Sequence, residues 1–145
     1  MPTYRERLWA PASWVAITLG GAGLVAASFR ENLLLLVGLP VLGVVALVLL
    51  SRHELRVEQG VLHVPGARAP LTAFGPAEVL DRAALRERMG IRAQRDAWVR
   101  VKPWAHRGVL LPVTDPEDDT PYWLVGTRRP QDLAVALARF PEVRA

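Results

Sequence analysis

The chain has no cysteine, a single lysine (Lys102), and histidines only at His53, His63 and His106, far apart in sequence. The first absence excludes disulfides and zinc–thiolate sites and leaves the redox compartment open. The histidines form no HExxH pattern and have no acidic partner at helical spacing, so no metal site and no cofactor are expected. No GxSxG turn is present, and without cysteine no thiol nucleophile can exist. The run Gly20-Gly21-Ala22-Gly23 lacks a lysine and a preceding strand, so it is not a phosphate loop. Charge is missing too. Leu8 to Phe29 contains no charged side chain, and Leu33 to Leu50 contains no polar side chain at all.

Both runs meet the roughly 18–20 residues that a helix needs to cross the hydrocarbon layer of a bilayer. Only Arg30, Glu31 and Asn32 separate them, enough for a tight turn at the membrane surface. Residues 1–51 are therefore expected to form a transmembrane hairpin with spans at about 8–29 and 33–50. Arg5 and Arg7 precede the first span and Arg52 and Arg56 follow the second, while Arg30 in the turn is neutralised by Glu31. Because cations near span ends are retained on the cytoplasmic side, both termini are assigned to the cytoplasm of a two-span cell-membrane protein. Two other readings exist: residues 1–28 as a cleaved signal peptide, or both runs as buried helices of a soluble protein. The apolar stretches are too long for a signal core and longer than core helices need. Within the spans, Ala12, Ala16 and Gly20 recur every fourth residue, and Gly23 and Ala27 do so on another face. Such rows allow close helix approach, either within the hairpin or between copies of the chain in a homo-oligomer. Pro40 is expected to kink the second span. No ionisable residue lies inside either span, which argues against an ion path.

From Ser51 onward the composition changes to a charged, Pro- and Gly-punctuated region the size of one small domain. The chain's net charge is +4 and its pI 10.6. Arginine and alanine richness also follows from a GC-rich genome, so this basicity does not call for a nucleic-acid partner. Residues 54–64, ELRVEQGVLHV, alternate and turn as a β-hairpin. Short strands are expected at 69–72 and 77–80, then a helix from Arg82 to Met89 capped by Asp81 and closed by Gly90. Further strands are expected at 97–102, 109–113 and 122–125. A closing helix should run from about Pro130 to Phe140, with Thr127 as its cap.

Serial antiparallel strands ended by an amphipathic helix resemble the bacterial pleckstrin-homology-like (PH-like) domains that follow transmembrane hairpins. LRVEQGVLHV, the Pro70-Leu71 strand and TRRPQDLAVAL carry that resemblance. Over nearly its full length, with YRERLW at 4–9 and PYWLVGTRRP at 121–130, the chain resembles a domain-of-unknown-function family of small two-span bacterial membrane proteins. The resemblance implies an α+β membrane protein: an N-terminal hairpin, then a small antiparallel β domain at 52–145 closed by a C-terminal helix. It implies no established activity.

Candidate binding residues follow from charge. Arg128 and Arg129 sit where a strand gives way to a helix, whose first N–H groups already carry partial positive charge, so an anion should lie near. Asp132, the acidic turn at 115–119, plain solvation and lipid phosphate are the alternatives. Lys102, Trp104 and Arg107, with His106, form a second candidate, an aromatic ring beside cations suited to a membrane interface. The acidic turn misses the spacing of a calcium-binding loop. The functional expectation is a non-enzymatic membrane protein whose cytoplasmic domain binds a partner protein or the anionic inner leaflet. The alternative is an accessory subunit of a larger membrane complex that uses the hairpin as its interaction surface. A hydrolase or transferase would need a site assembled from distant residues such as Asp81, Asp96 and His106.

Overall fold

A computed structural model of the chain describes residues 4–52 and 54–139. In chain order these form β1 (Tyr4–Arg7), α1 (Ala12–Ala27), α2 (Leu33–Ser51), β2 (Glu54–Glu58), β3 (Val61–Val64) and β4 (Ala67–Pro70). After a single 3-10 turn at Leu71–Ala73 come β5 (Glu78–Leu80), α3 (Arg82–Met89), β6 (Trp98–Arg100), β7 (Gly108–Pro112), β8 (Tyr122–Gly126) and α4 (Pro130–Ala138). His53 and Phe140 lie outside the described residues. The described chain is thus α+β, with four helices and two four-stranded sheets. It divides into two compact units, one built from the segment ending at Leu8 and the chain from Glu54 onward, the other starting at Trp9.

The second unit is the pair α1 and α2. Asn32 caps α2, its side chain accepting the backbone N–H groups of Leu34 and Leu35 at 3.1 and 3.4 Å. The expected first span of 8–29 is shorter as a helix, because the residue before a proline is pushed out of helical geometry and Pro11 holds the cap position. Pro40 stands inside α2 and removes one backbone hydrogen bond. Of the 19 residues of α2, only Leu47 and Ser51 are buried.

In the first unit, β1, β2, β3 and β4 form one antiparallel sheet in that order. β1 is the main departure from the sequence reading, which assigned residues 1–51 to the hairpin. Tyr4, Arg5, Glu6 and Arg7 instead pair with Val57, Arg56, Leu55 and Glu54. Strand alternation turns Tyr4 and Glu6 inward and Arg5 and Arg7 outward.

The second sheet runs β5-β7-β8-β6. The expectation of a wholly antiparallel domain is corrected here, because β6 pairs with β8 in parallel, Trp98 opposite Trp123. Both edges of β7 are taken by β5 and β8, so β6 reaches a free edge only on the far side of β8. Both faces of this sheet are covered, which is why β7 and β8 read as continuous apolar runs rather than as alternation. On one face Val109, Leu111, Trp123 and Val125 meet Leu55, Val57, Leu62 and Val64 of the first sheet, with Leu133 and Ala136 of α4. On the other face Leu110, Tyr122 and Leu124 pack against Leu85 of α3. Burying each such leucine or valine stabilises the fold by about 1.5–3 kcal/mol. Asp81 caps α3 as expected, its carboxylate accepting the Ala84 N–H at 2.8 Å.

Gly108 and Gly126 stand opposite each other on β7 and β8. A Cβ on Gly108 would lie 2.8 Å from the Val125 carbonyl oxygen, and one on Gly126 3.1 Å from the Val101 Cα. Close backbone approach, not a turn, is what requires glycine at this pair.

Candidate functional site

β8 ends at Gly126, and three residues carry the chain into α4. Thr127 is fully buried, Arg128 and Arg129 are exposed, and Pro130 opens the helix. Against this junction lies Glu6, itself only 5% exposed. A carboxylate so deeply buried must be hydrogen-bonded to remain. Its Oε2 accepts the Tyr4 hydroxyl at 2.6 Å and the Thr127 hydroxyl, and its Oε1 accepts the backbone N–H of Arg128 at 3.0 Å. The Thr127 Oγ1 accepts the Arg129 N–H at 3.0 Å. The expected Thr127 cap is corrected: Arg129 holds the cap position of α4, without a side-chain cap hydrogen bond, and Thr127 instead joins the bonds of the preceding junction. Burial pushes the Tyr4 phenol up, and the adjacent Glu6 carboxylate acts in the same direction.

A carboxylate beside the backbone of the arginine pair is thus supplied by β1, more than a hundred residues upstream. Arg129 is also held by its neighbours: its guanidinium donates to the Arg5 carbonyl at 3.3 Å, stands 4.0 Å from the Asp132 carboxylate and lies 5.6 Å from the Tyr4 ring centre. Sequence reasoning missed Tyr4, Glu6 and Thr127 as a unit. A signal was present, since YRER alternates as a strand does, but four residues beside a long apolar run read equally well as its polar flank.

The second candidate, Lys102, Trp104 and Arg107, is arranged differently from the interfacial ring expected. Trp104 is buried in the β unit, with its indole N–H donating to the Leu8 carbonyl at 3.3 Å. Lys102 lies 5.9 Å from the Trp104 ring centre, and burial, with Arg100 beside it, lowers its pKa. The Arg107 carbonyl accepts the Thr127 N–H at 3.0 Å, which ties this loop to the α4 junction. The acidic turn uses its own side chains locally: Asp115 accepts the Glu117 N–H at 3.0 Å and Asp118 the Thr120 N–H at 2.9 Å. Among the described residues no three His, Asp or Glu side chains converge on a metal-sized site.

The small-residue rows do not form the seam between α1 and α2. α1 meets α2 at Thr18 and Ala22, and a Cβ on Gly43 would come within 2.9 Å of the Thr18 methyl; Ala26 is buried. Ala12, Ala16, Gly20 and Ala27 are exposed, and nothing lies within 4 Å of where a Cβ on Gly20 or Gly23 would stand. The seam falls there because Gly43 admits the β-branched Thr18, a pairing that spacing within α1 alone does not reveal. At the far end, Ser51 donates to the Leu47 carbonyl at 2.7 Å and accepts the Ala10 N–H at 3.2 Å.

One helix among the described residues, Leu33–Ser51, is long and apolar enough to cross a membrane, and α1 is a shorter apolar helix. No curated protein and no solved structure matches the chain. A family profile covers residues 3–137, from the start of β1 into α4, and the chain belongs to the family described as "Protein of unknown function (DUF3093)".

Proposed function

We propose that this is a non-enzymatic, two-span cell-membrane protein whose PH-like β unit is held at the cytoplasmic face, where it binds the anionic inner leaflet or a partner protein. The observation that carries the reading is the pairing of Arg7 with Glu54. A chain that leaves β1 and returns into β2, with these strands paired, must cross a bilayer an even number of times. If α2 is one crossing, α1 is the other. The 16 residues of α1 rise only about 24 Å against a hydrocarbon layer of about 30 Å, a mismatch met by local thinning. The same pairing argues against removal of residues 1–28, which would detach an edge strand from its sheet. The bias of Arg5, Arg7, Arg52 and Arg56 over the Arg30–Glu31 turn supports cytoplasmic termini.

Because the chain lacks cysteine, Asn32→Cys gives a unique label. In intact cells a membrane-impermeant maleimide should modify it from outside. Modification only after the membrane is opened would overturn the topology.

The exposed Ala12–Ala16–Gly20 row favours a second reading, an accessory subunit whose hairpin is the interaction surface. Gly20→Leu would then strip the protein of its membrane partner or change its oligomeric state, while leaving the α1–α2 seam intact.

A further inference from the structure

The outer face of the first sheet carries one row that sequence spacing does not reveal. Register places Arg5 opposite Arg56, Arg56 opposite His63, and His63 opposite Arg68, one residue from each of four strands. Neighbouring strands lie about 4.8 Å apart, so the row spans about 14 Å. Like charges directly opposite one another destabilise a sheet, and this row places three arginines and a histidine in succession. The carboxylates on the same face do not balance them. Glu54 pairs with Arg5 and lies 3.8 Å from Arg7, and Glu58 lies 3.5 Å from Arg56. Two glutamates therefore face four arginines. Among the described residues neither Arg68 nor His63 has a carboxylate partner. Arg56, His63 and Arg68 also line an open depression of about 620 Å³, together with Glu58, Gln59 and Pro70.

We infer that this face is an anion-binding surface that takes the phosphate groups of anionic lipid headgroups, an inference that rests on the membrane reading above. Charge complementarity selects an anion, and chain length selects the membrane as its source. Arg56 follows Ser51, the last residue of α2, by only five positions, so the chain itself tethers the strand that carries Arg56 to the end of the span. A cation of this row that comes within a Debye length, about 8 Å, of an anionic leaflet strengthens binding about fivefold. Side chains standing in one row on an open sheet face suit a planar array of headgroups better than a groove-reading nucleic-acid contact, which calls for a helix or ribbon inserted between strands.

The test uses the full-length protein with Gln59→Cys, labelled with a polarity-sensitive fluorophore and reconstituted into phosphatidylcholine nanodiscs of rising phosphatidylglycerol content. The emission should shift to the blue as phosphatidylglycerol increases, and added salt should reverse the shift. Arg68→Gln, on an exposed edge strand where loss of fold is not at issue, should raise the phosphatidylglycerol needed for half the response about fivefold. Arg56→Glu with Arg68→Glu should abolish it. Unchanged emission in protein that co-elutes with the discs overturns this inference alone, and protein that does not co-elute overturns the membrane reading with it. A response to duplex DNA but not to phosphatidylglycerol overturns the lipid assignment in favour of nucleic acid. Inorganic phosphate that reproduces the shift without phosphatidylglycerol overturns the leaflet as the source of the anion.

Discussion

The Glu6 carboxylate accepts the backbone N–H of Arg128 at 3.0 Å, across 122 residues of chain. This bond closes the β unit. It fixes the first strand of the chain to the start of the last helix, and it places a negative charge beside N–H groups that α4 would otherwise leave unpaired. The hairpin is inserted between the two parts of the chain that the bond and the β1–β2 ladder hold together.

Glu6→Ala is expected to destabilise the β unit by about 2–3 kcal/mol, because it leaves the Tyr4 and Thr127 hydroxyls and the Arg128 N–H without their acceptor. Glu6→Gln, which keeps one acceptor oxygen, should cost less. Thermal unfolding of the full-length protein in mild detergent, followed by Trp fluorescence, measures both. Adding Thr127→Ala to Glu6→Ala should cost less than the sum of the single changes, since both act on one network. Strict additivity would mean that the network is not formed.

A fragment beginning at Glu54 should fold poorly and aggregate. It lacks β1, exposes the edge of β2 and leaves the α4 junction without Glu6. Joining Arg7 to Glu54 through Asn-Gly should rescue it, because these two residues are already opposite each other and a two-residue turn of that composition closes antiparallel neighbours. The rescued domain should be monodisperse on gel filtration, with cooperative unfolding. Equal behaviour of the two fragments would remove β1 from the fold.

Alkaline pH should weaken the protein through Tyr4. The phenol titrates near pH 10 when unfolded and is shifted upward in the fold, chiefly by burial. A group that holds its proton more tightly when folded contributes stability that is fully present below the unfolded pKa and is lost as pH rises above it. Unfolding by urea at about pH 9 and pH 11 should therefore show a loss at the higher pH. Tyr4→Phe should reduce that loss while lowering stability at neutral pH by about 1 kcal/mol for the missing hydrogen bond. An unchanged alkaline loss in Tyr4→Phe would assign it to other groups.

Local chemistry made much of this architecture legible. Asp81, with the helix after it, was readable because a cap and its partner N–H lie three residues apart. The β2–β3 hairpin was readable because alternation and a Gln59-Gly60 turn are contained in eleven residues, and Gln59 and Gly60 both adopt the positive φ that such a turn needs. The apolar runs at 8–29 and 33–50 were visible for the same reason, as composition within one window. Even there, the start of α1 at Ala12 rather than Leu8 follows from Pro11 and from the burial of Leu8 in the other unit.

The sequence by itself determined the two apolar runs, the helix caps and the alternating strands, because each depends on forces that act within a turn or a pleat. Only the tertiary structure decided that Tyr4–Arg7 is an edge strand, that β6 runs parallel to β8, that Trp104 is buried, and that Glu6 answers Arg128. These depend on which strand edges remain free and which polar groups are buried together. A four-residue strand pairs only when its partner, about fifty residues along the chain, has already formed a surface to receive it. The basic row on the first sheet has the same origin: Arg5, Arg56, His63 and Arg68 are scattered along the chain, and strand register alone brings them side by side.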